Sequence, residues 1–235
     1  MLELFKSEFL RYRKWSLLAM GAFLAAFAFI ARLKPFLQPE TTQLGFSFLV
    51  MVGGSLIFGL VQMYLHRRPN HWTYLVHRPI APRQIFLALV AAGAAAITLA
   101  VGTPWLVMTA GIDLFTNDTV DGRHYVFILF FLMCCFFGYL VGTLAVLNAS
   151  KGVLLVAILI LLLIAPDPIS GFWQFFPATL LLAGLLYLNF VSFKPDLSTH
   201  TRSPLAIVLL AVPMRGILVY GLIMSTGLFY HIPLF

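Results

Sequence analysis

The feature that most constrains this chain is a series of unbroken apolar runs, most of them about 20 residues long, the length that crosses a bilayer as a helix. Wound as an α-helix, such a run rises about 30 Å, the thickness of the hydrocarbon core. No soluble fold of 235 residues hides this much apolar surface. The chain is 61% hydrophobic and 10% charged, against about 25% charge in soluble domains. Lipid is therefore the solvent for much of it. In lipid every backbone N–H and C=O needs an internal partner, which leaves helices or a closed barrel. A barrel would show segments of about ten residues with alternating polarity, whereas these runs are continuous. The expected fold class is an all-α polytopic membrane protein with six to seven transmembrane helices.

The apolar runs lie near 15–33, 44–65, 85–110, 125–147, 153–165, 172–191 and 205–230. The run 15–31 follows a basic start, and Ala26-Phe27-Ala28 mimics a signal-peptidase site; it is read as a retained first span. The fifth run rises only about 20 Å, so it borrows flanking residues or stops partway and returns. The seventh contains Pro213-Met214-Arg215-Gly216. Proline kinks a helix, and arginine at mid-membrane costs about 3 kcal/mol on insertion scales. Arg215 is therefore a candidate intramembrane polar site facing a cavity or partner; otherwise the true span is 216–235 and 205–212 lies on the surface. No repeat or long linker interrupts the chain, so residues 1–235 read as a single transmembrane domain.

Residues 1–14 form an amphipathic stretch. Leu2, Phe5, Phe9 and Tyr12 share one helical stripe, with Lys6, Arg11, Arg13 and Lys14 off it. Two readings stand: an interfacial helix lying in the headgroup plane, or a positive flank of the first span. Lys and Arg placement orients the chain. With the N-terminus inside, the inner side holds Lys6, Arg11, Arg13, Lys14, Arg67, Arg68, Arg78, Arg83, Lys151, Lys194 and Arg202, and the outer side only Arg32, Lys34 and Arg123. Glu40, Asp113, Asp118, Asp121 and Asp167 fall outside. This places the net charge of +7 at a membrane surface rather than on nucleic acid.

Catalytic signatures are missing. The sequence has no G-x-x-x-x-G-K-[ST], H-E-x-x-H, G-x-S-x-G or C-x-x-C pattern, so any ATP it depends on is hydrolysed by a partner. All six histidines sit near expected membrane edges, and all eight acids in loops or the N-terminal helix, which argues against a proton relay. Cys134 and Cys135 point about 100° apart on a helix and read as packing residues rather than a disulfide or metal site. Gly53, Gly54, Gly59, Gly138 and Gly142 are candidates for close helix packing, and Gly138-x-x-x-Gly142 has the spacing of a dimer face.

The inner loop between the second and third runs, 66–83, is basic and aromatic. Asn70 suits the cap of a short helix over 71–77, which Pro79 ends through Arg78, and Pro82 suits the first turn of the next span. Trp72, Leu75 and Val76 share a face. The helix is either a cationic anchor on anionic lipid or a rigid lever on which a cytoplasmic partner pushes.

The stretch Trp72-Thr73-Tyr74-Leu75-Val76-His77-Arg78-Pro79-Ile80-Ala81-Pro82-Arg83-Gln84-Ile85 resembles the coupling-helix region of ABC-2 type permeases, the membrane-spanning subunits of ABC transporters. Glu8-Phe9-Leu10-Arg11-Tyr12-Arg13-Lys14 is similar to the interfacial helix of the same family. The likeness covers roughly residues 1–110 and rests on short motifs; beyond that only the layout matches. The family usually has six spans with an inside C-terminus, whereas seven runs here would put the C-terminus outside; it often has a re-entrant outer hairpin after the fifth span, for which the run 153–165 with Asp167-Pro168-Ile169-Ser170-Gly171 is the candidate counterpart.

The resemblance implies an exporter in the bacterial inner membrane: two permeases, identical or sister chains, above two ATPase subunits that hold ATP and Mg, with no cofactor on this chain. ATPase coupling would fall to Arg67, Arg68, His71, Trp72, Tyr74, Leu75, His77, Arg78 and Arg83, and to the interfacial helix through Phe5, Phe9, Arg11, Tyr12, Arg13 and Lys14. The Phe- and Leu-rich spans suit a hydrophobic or amphiphilic cargo, and equally suit helices that face lipid. The rivals are a non-catalytic assembly subunit, and an intramembrane lipid-modifying enzyme whose His66, Arg67, Arg68, His71, His77 and Arg78 would hold a phosphate. The enzyme reading lacks a nearby carboxylate or serine in the sequence.

Overall fold

The computed structural model describes residues 1–33, 36–37, 41–67, 80–147 and 175–193. Every regular element among them is helical: α1 (Leu2–Leu33), α2 (Thr41–His66), α3 (Pro82–Ile97), a π turn (Thr98–Gly102), α4 (Thr103–Phe115), α5 (Gly122–Leu147) and α6 (Phe175–Ser192). The α3, π and α4 segments form one continuous 34-residue helix. Four helices are long and apolar enough to cross a membrane, and α6 is a shorter apolar helix. The protein is thus an all-helical, multi-pass membrane protein. The apolar runs 153–165 and 205–230, together with Arg215 and Pro213, lie outside the described residues.

Two helix starts are explained by local chemistry, the first of them expected. Pro82 opens α3, where its missing N–H is no loss. Asp121 caps α5 by accepting the Arg123 N–H at 3.0 Å. In the third apolar run the expectation missed a feature. Pro104 stands deep inside the continuous helix, and an α-turn would press its ring onto the carbonyl four residues back. The chain widens there instead: the Thr103 N–H reaches the Thr98 carbonyl, five residues back, and the Thr98 hydroxyl donates to the Ala94 carbonyl at 2.9 Å.

α5 is the central helix, and its most extensive contact is with α2. Glycines set that approach. A Cβ at Gly142 would fall on the Leu56 carbonyl, one at Gly59 on the Tyr139 carbonyl, and one at Gly138 would lie 2.7 Å from the Val52 carbonyl. The Gly138-x-x-x-Gly142 face is therefore filled by α2 of the same chain, not left for a dimer. Gly53 and Gly54 have open space beside them. Cys134 and Cys135 are buried in the main core. At one end of that core Trp105 sits among Phe27, Phe36, Phe127 and Phe131, with ring centroids 4.8–5.7 Å away. Phe27 thus ties the signal-like run into the bundle.

A second core cluster joins Leu4 of α1, Met63 of α2, Ile85 and Phe86 of α3, Leu147 of α5 and Phe193 after α6. The start of α1 and α3 and the end of α2, α5 and α6 therefore meet at one end of the bundle. Lys6, Arg11, Arg13, Lys14, Arg67 and Arg83 gather there, and we refer to it as the basic end. Arg32, Asp113, Asp118, Asp121 and Arg123 stand at the other. It follows that α5 and α6 run parallel.

The N-terminal stretch is not a separate element. α1 is unbroken for 32 residues, about 48 Å, longer than the ~30 Å of hydrocarbon. No break near Lys14 turns residues 1–14 into the headgroup plane. The inward face is also rotated from the expected stripe: Leu4, Glu8, Tyr12 and Ser16 are buried, while Leu2 is exposed. Because the helix is continuous, packing along its whole length chooses the face, and the local apolar stripe does not.

Candidate functional site

The last turn of α2 carries the densest set of polar contacts among the described residues. Gln62, Met63 and His66 point into the bundle, all at most 3% exposed. From α1, Glu8 meets them at 8% exposure, its Oε2 lying 2.9 Å from Nε2 of His66. The ring N–H donates and the carboxylate accepts. From α5, the Tyr139 hydroxyl donates to Oε1 of Gln62 at 2.9 Å, while Nε2 of Gln62 donates to the Leu89 carbonyl of α3 at 3.2 Å. Arg67 donates to the Val146 carbonyl at the end of α5. Three helices, α1, α3 and α5, are thereby tied to one turn of α2. Gly93 makes this geometry reachable, since a side chain there would collide with the Tyr139 ring.

A second polar contact holds α6. The Thr143 hydroxyl lies 2.6 Å from Oδ1 of Asn189, whose Nδ2 donates to the carbonyls of Leu140 and Leu185, each at 2.9 Å. Interhelical hydrogen bonds in membranes contribute about 0.6 kcal/mol on average. Each contact of the seam therefore adds little net stability. What it fixes is register, because a buried polar group without its partner costs about 1–3 kcal/mol. The Tyr12 hydroxyl and the Trp105 indole N–H are buried without a hydrogen-bond partner among the described residues.

The seam sits at the root of the basic, aromatic loop. The chain leaves it at Arg67 and returns through Ile80, which packs on the second core cluster, and Arg83, whose guanidinium lies 5.8 Å over the Phe190 ring. Of the expected coupling residues, Arg67 is turned inward onto α5, and Arg83 is exposed at the start of α3. Arg68, His71, Trp72, Tyr74, Leu75, His77 and Arg78 lie outside the described residues. On α1, Phe5 and Phe9 stack with centroids 6.1 Å apart and are half-buried; Tyr12 is buried; Arg11, Arg13 and Lys14 are exposed.

Glu8 is the residue that sequence reasoning misplaced. It is an acid inside the bundle, where none was expected, and it supplies the carboxylate that the lipid-enzyme reading lacked. The two side chains of the pair are 11% and 4% exposed. The remaining seam residues carried a visible signal: Gln62, Thr143 and Asn189 are polar side chains within otherwise apolar helices, which in membranes mark interhelical contacts. Among the described residues no three His, Cys, Asp or Glu side chains come together as a metal site would need. Comparison with family models, with curated proteins and with solved structures returns no match for this chain.

Proposed function

We propose that this chain is the membrane-spanning permease subunit of an ATP-driven exporter of the ABC-2 type, with ATP and Mg bound by a separate ATPase. The observation that carries the reading is the tied root of the loop. A stretch that resembles a coupling helix springs from a turn bonded at once to α1, α3 and α5 through Glu8–His66, Gln62 and Arg67. A push on such a turn moves three helices together, which is what transmission from an ATPase requires. In this reading Trp72, Tyr74 and Leu75 fill a groove on the ATPase, since aromatic and arginine residues dominate interface energetics. Arg68, Arg78 and Arg83 meet its acidic groups, His71 and His77 flank them, and Arg67 stays as an internal tie.

The gathering of basic residues at the basic end supports a cytoplasmic N-terminus in a bacterial inner membrane. The parallel run of α5 and α6 supports a crossing between them, and hence the apolar run 153–165 as a span in a six- or seven-span protein. Two copies, or this chain with a sister permease, would complete the pathway for a hydrophobic or amphiphilic cargo.

The test is to co-express the chain with candidate ATPase subunits from its own genome, purify in mild detergent and assay ATP hydrolysis. A stoichiometric ATPase is expected, with activity that falls in Trp72→Ala and Arg78→Ala. Transport should be lost in Trp72→Ala/Leu75→Ala while the fold is kept. The absence of a nucleotide-binding partner in several detergents would overturn the proposal in favour of a non-catalytic assembly subunit.

A further inference from the structure

A cleft of about 240 Å³ opens between α1, α2 and the junction of α3 with the π turn, walled by Trp15 and Phe23, by Gly54 and Phe58, and by Ala96 and Ala100. Its volume exists because glycine and alanine face it on every wall, and a Cβ at Gly54 would meet nothing within 4 Å. Among the described residues the rim is open sideways: Trp15 is 70% exposed, and Val50 and Gly54, which also line the cleft, are exposed. From Trp15 to Phe23 the cleft follows α1 for about 12 Å. Trp15 comes directly after the last charge of the basic end, Lys14, and no further charge occurs on α1 until Arg32. The cleft therefore starts at headgroup level, where tryptophan prefers to sit, and runs inward along the direction of a lipid chain.

We infer that this cleft seats one acyl chain of an anionic phospholipid whose phosphate lies against Arg11. The volume falls below the ~300 Å³ of ordinary small-molecule pockets. A single chain fits such a slot with its headgroup outside, whereas a cargo would need enclosing. Charge decides which lipid binds. The Arg11 guanidinium lies 5.7 Å over the Tyr12 ring, and that ring meets Phe58, a wall of the cleft, edge-on at 5.2 Å. Arg13 and Lys14 occupy the same turn, and Glu8, the acid one turn before Arg11, is committed to His66. The chain itself gains little on leaving bulk lipid, because lipid tails are as apolar as the cleft. Selectivity comes from the cation. The inference is independent of the transporter reading, since a resident lipid would bind whatever the protein does.

The test uses the full chain in phosphatidylcholine vesicles doped with lipid brominated on its chains, reading tryptophan quenching and taking the Trp15 share as the difference from Trp15→Phe. Brominated phosphatidylglycerol should associate roughly five-fold more strongly than brominated phosphatidylcholine, the scale expected of one basic residue at a membrane surface. Arg11→Gln should equalise the two lipids. Gly54→Leu, which fills the cleft from α2, should abolish the excess quenching, and so should Ala19→Leu from the α1 wall. Helix content and elution volume identify which of the two retains the fold and is read. Equal quenching in the unaltered protein would overturn the inference. So would an excess that survives in the folded cleft-filling variant, or one that is indifferent to Arg11→Gln.

Discussion

Removing the carboxylate of Glu8 leaves the ring N–H of His66 buried with nothing to accept it, and the size of that loss is predictable. Glu8→Ala should destabilise the bundle by about 1–3 kcal/mol, the penalty of an orphaned buried polar group. Glu8→Gln keeps an acceptor and should lose distinctly less, and Glu8→Leu/His66→Leu should return close to the original stability, because neither partner is then stranded. Chemical unfolding in detergent, followed by circular dichroism, measures all three; equal losses in the Ala and Gln variants would refute a hydrogen-bonded pair. Tyr139→Phe is the parallel case. It removes the donor to Gln62, leaves Oε1 of that buried side chain without its partner, and should lower stability by the same ~1–3 kcal/mol. Both contacts eluded the sequence for the same reason. A charge at position 8 is unremarkable in a basic flank, and Gln62 signals an interhelical contact without naming its partner; only the folded chain puts them beside His66 and Tyr139.

Glycines that look alike in an apolar helix differ sharply once a neighbour is present. Gly142→Ala would drive a methyl onto the Leu56 backbone, which a rotamer change cannot relieve, so it should destabilise by at least the ~1–3 kcal/mol of an overpacked core. Gly53→Ala meets only open space and should be neutral or stabilising by up to about 1 kcal/mol, the helix preference of alanine over glycine. The same unfolding measurement separates them, and comparable effects would show that α2 and α5 do not pack as described. The spacing of Gly138 and Gly142 announced a tight contact without naming its partner, since a helix from the same chain and one from another copy satisfy it equally. The start of α3 was easier to foresee, because Pro82 acts within a single turn. The π turn was not foreseen: Pro104 signals a disturbance, but whether a helix kinks, stops or widens there depends on what packs around Trp105.

At the scale of the molecule, hydropathy alone revealed helices crossing a bilayer, and the clustering of Lys and Arg revealed which ends lie together. Contacts were needed to show that α1 is continuous and that α5 and α6 run parallel. That arrangement is testable by labelling with a membrane-impermeant maleimide: Val191→Cys, half-buried at the end of α6, should react from the same side as Lys6→Cys, and Gly122→Cys from the opposite side, with the native cysteines silent in the core. Reaction of Val191→Cys from the Gly122 side would refute the parallel pair. The unbroken length of α1 has a mechanical consequence. The helix is held near one end by Glu8 on His66 and toward the other by Phe27 on Trp105, with no joint between. It behaves as a stiff beam clamped at two points. Torque applied at the loop root is not absorbed in a hinge but arrives across the bilayer as a tilt of the aromatic cluster.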